Sequence, residues 1–324
     1  MAEQPSDLET IDPSRSAVDQ VEGLPNWFDV DALGRCREVV RAIAPTMEGV
    51  TLTITSDFEN AVREAHDDAE YAANYEQDRG AFGSAIAKVI SHDDGTVDLV
   101  VDAAVLARGQ EAGAPERTFA HEAHHIAIFQ RGENLSDPEL REPEAAFGAE
   151  DRHLEMARIA CEEFRVEAPL CLDAPNAQYG AFPALLNAFD GSIRELSVNY
   201  QRDADVGAIS NGVLGQFHSV ATATGYVAAA MEAAGIDLPS VEPGIAERTL
   251  GANAIAAIER MRQIPPADEP TAVEVLEEAA GEVAELHKAW LADIGFRWVD
   301  MDDGSLRFDV LKPEKWLLLL GKTD

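Results

Sequence analysis

The chain has 324 residues, 46% of them hydrophobic, and sets 60 acidic side chains against 25 Lys and Arg, for a net charge of −35 at neutral pH. That length can bury one large core or two modest ones. The charge excludes the basic clusters that nucleic-acid backbones and anionic membranes require, so neither is expected as a partner; acidity of this kind is read first as a solvated surface, with salt adaptation or a basic partner as the readings that charge alone leaves open.

Residues 1–24 are polar and acidic without periodicity and read as a disordered tail with no function of its own. Glu3, Asp7 and Glu9 stand where a secretory signal would carry basic and then apolar residues, so a cytoplasmic location is expected. A helix is predicted over 31–43, ended by Pro45, and the β-branched alternation Val50-Thr51-Leu52-Thr53-Ile54-Thr55 predicts a strand. A second helix is expected over 59–74. Segments 84–90 and 96–101 flank His92-Asp93-Asp94-Gly95, a turn sequence, and predict a β-hairpin.

The next segment carries the chemistry. Thr118-Phe119-Ala120-His121-Glu122-Ala123-His124-His125-Ile126 is an H-E-x-x-H sequence in an apolar, Ala-rich run that predicts a helix. On a helix His121 and His125 fall one turn apart on one face, where both imidazoles can meet one metal ion. Glu122 sits one step round, within reach of a water on the same ion, as a general base for hydrolysis must be. His121 and His124 are also a turn apart, which leaves a second pairing open. The other reading of the segment is a core helix with hydrogen-bonded neutral histidines.

With Thr118 three places before the first His and Phe119 and Ala123 uncharged, the segment resembles the zincin metallopeptidases. The resemblance covers the motif and its immediate frame. It implies a small sheet before the active-site helix, a bound Zn²⁺ held by His121 and His125, Glu122 as general base, and a peptide or protein substrate. It also implies an edge strand that takes up extended peptide by β-addition, for which Val97-Asp98-Leu99-Val100-Val101 is the strand nearest before the motif. Ile128 and Arg131 stand where the metzincin branch has Gly and His, which excludes that branch. The gluzincin branch draws its third ligand, a Glu, from a later helix, often with an acidic residue one turn further on. Intracellular ImmA/IrrE-type peptidases are a possible relative by motif and expected location, although no helix-turn-helix is evident.

Residues 131–143 are rich in turn formers and read as an exposed loop. The helix predicted over 149–168 then offers third ligands. Glu163 shares a face with Met156, Ile159, Ala160 and Val166, and a carboxylate on an apolar face calls for compensation that a metal supplies. Glu162 shares its face with Glu155 and Arg158 and reads as a solvated ion-pair partner. Glu163 is therefore taken as ligand and Glu167, by resemblance to the gluzincin arrangement, as the residue that orients a ligand; Glu162 and His153 stay open as alternatives.

Helices are predicted over 184–188, 203–235, 245–264 and 271–294, broken at Asp237-Leu238-Pro239 and Pro265-Pro266, and a hairpin over 296–300 and 306–310. Trp316-Leu317-Leu318-Leu319-Leu320 is far too short to span a bilayer. Cys36, Cys161 and Cys171 form no Cys-x-x-Cys pair and read as reduced thiols. Tyr179, Tyr200 and His218 could each stabilise an oxyanion, and the sequence does not choose among them. The sum is an α+β protein: a small mixed β-sheet with a zincin-like helix over 25–170, then a mainly helical half over 171–324. The function expected is zinc-dependent peptide hydrolysis. The alternative is a non-catalytic protein, either stabilised by a closed metal site or acting as an acidic interaction or assembly module.

Overall fold

The computed structural model describes residues 27–67, 72–73, 75, 77, 85–135, 148–171, 177–237 and 251–311. Among them are eight α-helices and five strands: α1 Val30–Ile43, β1 Val50–Thr55, α2 Phe58–Ala65, β2 Ala87–Ser91, β3 Val97–Asp102, α3 Ala114–Gln130, α4 Ala149–Cys171, α5 Ala177–Asp203, α6 Val206–Ala234, α7 Gly251–Met261, α8 Val273–Ile294, β4 Phe296–Asp300 and β5 Leu306–Val310. The class is α+β with a helical majority and a small mixed sheet. The 1–24 tail, part of the expected 59–74 helix, residues 136–143 of the expected loop, the break at Leu238-Pro239 and the 316–320 run lie outside the described residues. No described helix is long and apolar enough to cross a membrane. The chain divides into two compact units, Met1–Asn134 and Leu135–Asp324, whereas the sequence reading draws the line at 170/171.

In the first unit, alternation along the strands sorts the side chains to the two faces of the sheet. Val50, Leu52 and Ile54 of β1 and Val97, Leu99 and Val101 of β3 join Leu33, Cys36 and Val40 of α1 and Phe119, Ala123 and Ile126 of α3 in one buried core. Val100 of β3 and Ile90 of β2 point the other way and cluster with Phe58 and Val62 of α2. The sheet order is β1-β3-β2, with β1 parallel and β2 antiparallel to β3. The strand nearest before the motif is therefore central, already paired on both sides. It cannot take up a further peptide strand, and the edge next to α3 is β2.

The motif helix is fixed at both ends. It starts after Gly113, in the left-handed region at φ 85°, with Pro115 in its first turn where no amide partner is needed. It ends in a Schellman arrangement: the Gly132 amide donates to the Phe129 carbonyl at 2.8 Å and the Glu133 amide to that of Ile128 at 3.0 Å. Gln130 clasps the α1–β1 connection, accepting from the Thr46 amide at 3.2 Å and donating to its carbonyl at 3.0 Å. Gly132 has φ 68° and open space where a Cβ would stand, so Gly132→Ala should cost only the left-handed penalty, about 1 kcal/mol, read as a lower urea midpoint with an unchanged slope. A variant as stable as the parent would mean the turn does not hold the helix end.

In the described part of the expected exposed loop after α3, Gly132 is exposed and Arg131 and Asn134 are half-buried, but two side chains are covered. Arg131 grips Glu133 through two hydrogen bonds of 2.8 and 3.0 Å, and Glu133 and Leu135 are both buried. Turn-forming sequence sets backbone shape and does not forbid a side chain from being covered by its surroundings.

In the second unit α4 packs on α6 and α8, α5 on α6 and α7 on α8. Arg158 of α4 makes a bidentate pair with Glu277 of α8, its nearer contacts 2.8 Å. Helix α4 runs through Pro169, past the point where the sequence reading ends it. A proline has no amide to offer the carbonyl four residues back, here Arg165, and that carbonyl instead accepts from the Ala267 amide at 2.8 Å. The Arg165 side chain, fully buried, donates to the Pro265 carbonyl at 3.0 Å. An aromatic core of Phe189, Phe217 and Trp290 joins α5, α6 and α8. The β4–β5 hairpin closes on it, with Trp298 donating its indole N–H to Ser210 at 2.9 Å.

Candidate metal site

Helix α3 presents different side chains on each face because nearly its whole circumference is covered. Phe119, Ala123 and Ile126 enter the core against the sheet, while Ala120, Ala127, Ile128, Glu122 and His124 are buried on other faces. His121 and His125 are half-buried, and their rings meet edge to face with centroids 5.0 Å apart and planes at 69°. Two imidazoles that approach in this way face a common volume. His124, 5% exposed, lies on the covered side. Helical spacing alone leaves the pairs 121/125 and 121/124 equivalent, and burial separates them.

On α4 Glu163 is half-buried and Glu167 is buried. The solvated reading of Glu162 is overturned: it is 7% exposed, and its carboxylate accepts from the Leu135 amide at 3.0 Å. Arg158, the partner expected for it, pairs with Glu277. An adjacent chain segment, which helical periodicity cannot reveal, covers that side of the helix. The open alternative His153 belongs to a different setting. It is buried with its ring 5.8 Å from that of Trp298, and burial, then Lys288, push its pKa down to about 4.

Among the described residues, one group of three potential ligands has a donor atom from each within 4.8 Å of the others: His121, His125 and Glu163. Tetrahedral zinc with bonds of about 2.0–2.1 Å sets its donors roughly 3.4 Å apart. The donor set also suits zinc, since two neutral nitrogens and one carboxylate leave a fourth position for water. Neither His124 nor His153 belongs to the group. Of the three oxyanion candidates, His218 is exposed on α6, Tyr200 is half-buried on α5, and the Tyr179 side chain lies outside the described residues. Cys36 and Cys161 are buried free thiols whose pKa values burial pushes up to about 12, so neither is a nucleophile at neutral pH.

Compared with models of protein families, with curated proteins and with solved structures, the chain matches none. Any functional reading therefore stands on its residues alone.

Proposed function

We propose that the chain is a zinc-dependent peptidase of zincin-like, gluzincin-type architecture, with Zn²⁺ held by His121, His125 and Glu163. The observation that carries the reading is the grouping of those three donors beside Glu122 on α3. A zinc ion with an open position lowers the pKa of its water toward neutrality and polarises a peptide carbonyl. Glu122, next in sequence to the first His and mostly shielded from solvent, takes a proton from the attacking water and passes it to the leaving nitrogen. Glu167, one helical turn after Glu163, steadies a ligand rather than binding the ion. An extended substrate adds to the β2 edge, which runs beside α3.

A purely structural zinc calls for a fourth protein ligand, and among the described residues the group contains three. The test is elemental analysis of purified protein. The parent should carry about one zinc per chain, and His121→Ala, His125→Ala and Glu163→Ala should each lose most of it while the far-ultraviolet helical signal persists. Full zinc in His121→Ala, or none in the parent under metal-replete purification, would remove the reading.

A further inference from the structure

At Gly225 helix α6 lies against the backbone of α4, at the turn that carries Glu163. A Cβ built on Gly225 would lie 2.5 Å from the Ala160 carbonyl oxygen, 3.1 Å from the Phe164 amide nitrogen and 3.3 Å from the Glu163 Cβ. The first two are backbone atoms of α4 and cannot swing aside as a side-chain tip would. The surroundings are equally closed: Ala160, Phe164, Ala221 and Ala228 are at most 1% exposed, and Thr224 is tied to its own helix through the Ala221 carbonyl at 2.6 Å. Any side chain at 225 must therefore drive the Ala160–Phe164 turn away from α6, and the Glu163 carboxylate with it. Catalytic and metal-binding groups tolerate displacements of only about 0.5 Å before function suffers.

We propose that Gly225 is a positioning residue for the metal ligand on α4: its missing side chain lets the two backbones lie in contact and fixes where the Glu163 carboxylate stands. This rests on the reading of Glu163 as a zinc ligand. Gly212 supplies the control. The atoms nearest a Cβ there all belong to the side chain of Leu196, where α6 packs on α5, so Gly212→Ala overpacks the same helix without pressing on the α4 backbone.

The experiment measures zinc affinity of the full chain by competition with a chromophoric chelator, beside melting temperature, for the parent, Gly225→Ala, Gly212→Ala, Glu163→Ala and Glu163→Asp. Gly225→Ala should lose at least about tenfold in zinc affinity, while Gly212→Ala, melting early as well, keeps the parent value. A folded Gly225→Ala with parental affinity overturns the proposal. So does an equal loss in both glycine variants, which would make the effect one of general stability. Should Gly225→Ala fail to fold, Glu163→Asp decides: its carboxylate is drawn back by about one C–C bond, roughly 1.5 Å. A helix held in place cannot make up that distance, so affinity should fall about a hundredfold, and parental affinity would show α4 free to shift and end the case. Parental affinity in Glu163→Ala would instead remove the ligand assignment on which the inference stands.

Discussion

Glu122→Gln is expected to keep the zinc of the parent and to lose peptide hydrolysis by about 10²–10⁴-fold, or roughly 3–5 kcal/mol of transition-state stabilisation. The substitution keeps shape and hydrogen-bonding reach but removes the only property the role needs, a basic oxygen that can accept and return a proton. Glu122 is not among the three grouped donors, so the ion has no reason to leave. It is 8% exposed, and a neutral amide is easier to keep there than a carboxylate, so stability should not fall. His121→Ala must fail differently, with zinc and hydrolysis lost together. Assayed on an unfolded protein substrate with zinc content measured on the same samples, the pair separates a general base from a ligand. A Glu122→Gln protein as active as the parent would remove the mechanism whatever the metal content.

What the sequence made legible follows the range of the interactions concerned. The helix over His121–His125 and the hairpin around His92–Gly95 depend on neighbours within a few residues, and periodicity and turn chemistry describe them well. The parallel pairing of β1 with β3 joins segments more than forty residues apart, and nothing local announces that β3 will be central. Two adjacent glutamates show the same limit. Helical faces separate Glu163 from Glu162, but they predict a solvated Glu162, whereas its carboxylate is covered and accepts from the Leu135 amide. Pro169 is a third case. The rule that a helix stops before proline presumes that the released carbonyl is left to solvent, and here Ala267 takes it. Gly225 left no mark in sequence at all, since a glycine inside a helical pattern reads as a small local cost until the neighbouring backbone is known.

The second large effect expected is acid destabilisation of the second unit. His287 of α8 is fully buried against Phe217 at 5.4 Å and Trp290 at 6.2 Å, and neither ring nitrogen finds a hydrogen-bond partner among the described residues. Burial, then the nearby His153, pushes its pKa down to about 3; for His153 burial, then Lys288, gives about 4, with Glu285 opposing. Both histidines would titrate near 6.5 in the unfolded chain, so above that pH each is neutral in both states and contributes no pH dependence. Below it the unfolded chain binds protons that the native unit refuses, and stability falls with pH until about 4 for His153 and about 3 for His287. At pH 5 the two together should cost about 4 kcal/mol relative to pH 7.5, read from urea unfolding. His92 in the first unit works in the opposite sense: burial opposes it, but Asp67 and Asp98 raise its pKa overall, so its contribution is present below 6.5 and fades as pH climbs through the raised value. The two effects separate by substitution. His287→Leu keeps nearly the same volume and replaces an imidazole whose polar atoms are unsatisfied, so it should be at least as stable as the parent at pH 7.5 and lose only about half as much at pH 5. An undiminished acid loss in that variant would assign the effect to other groups, because no imidazole would remain at that position to be denied its proton.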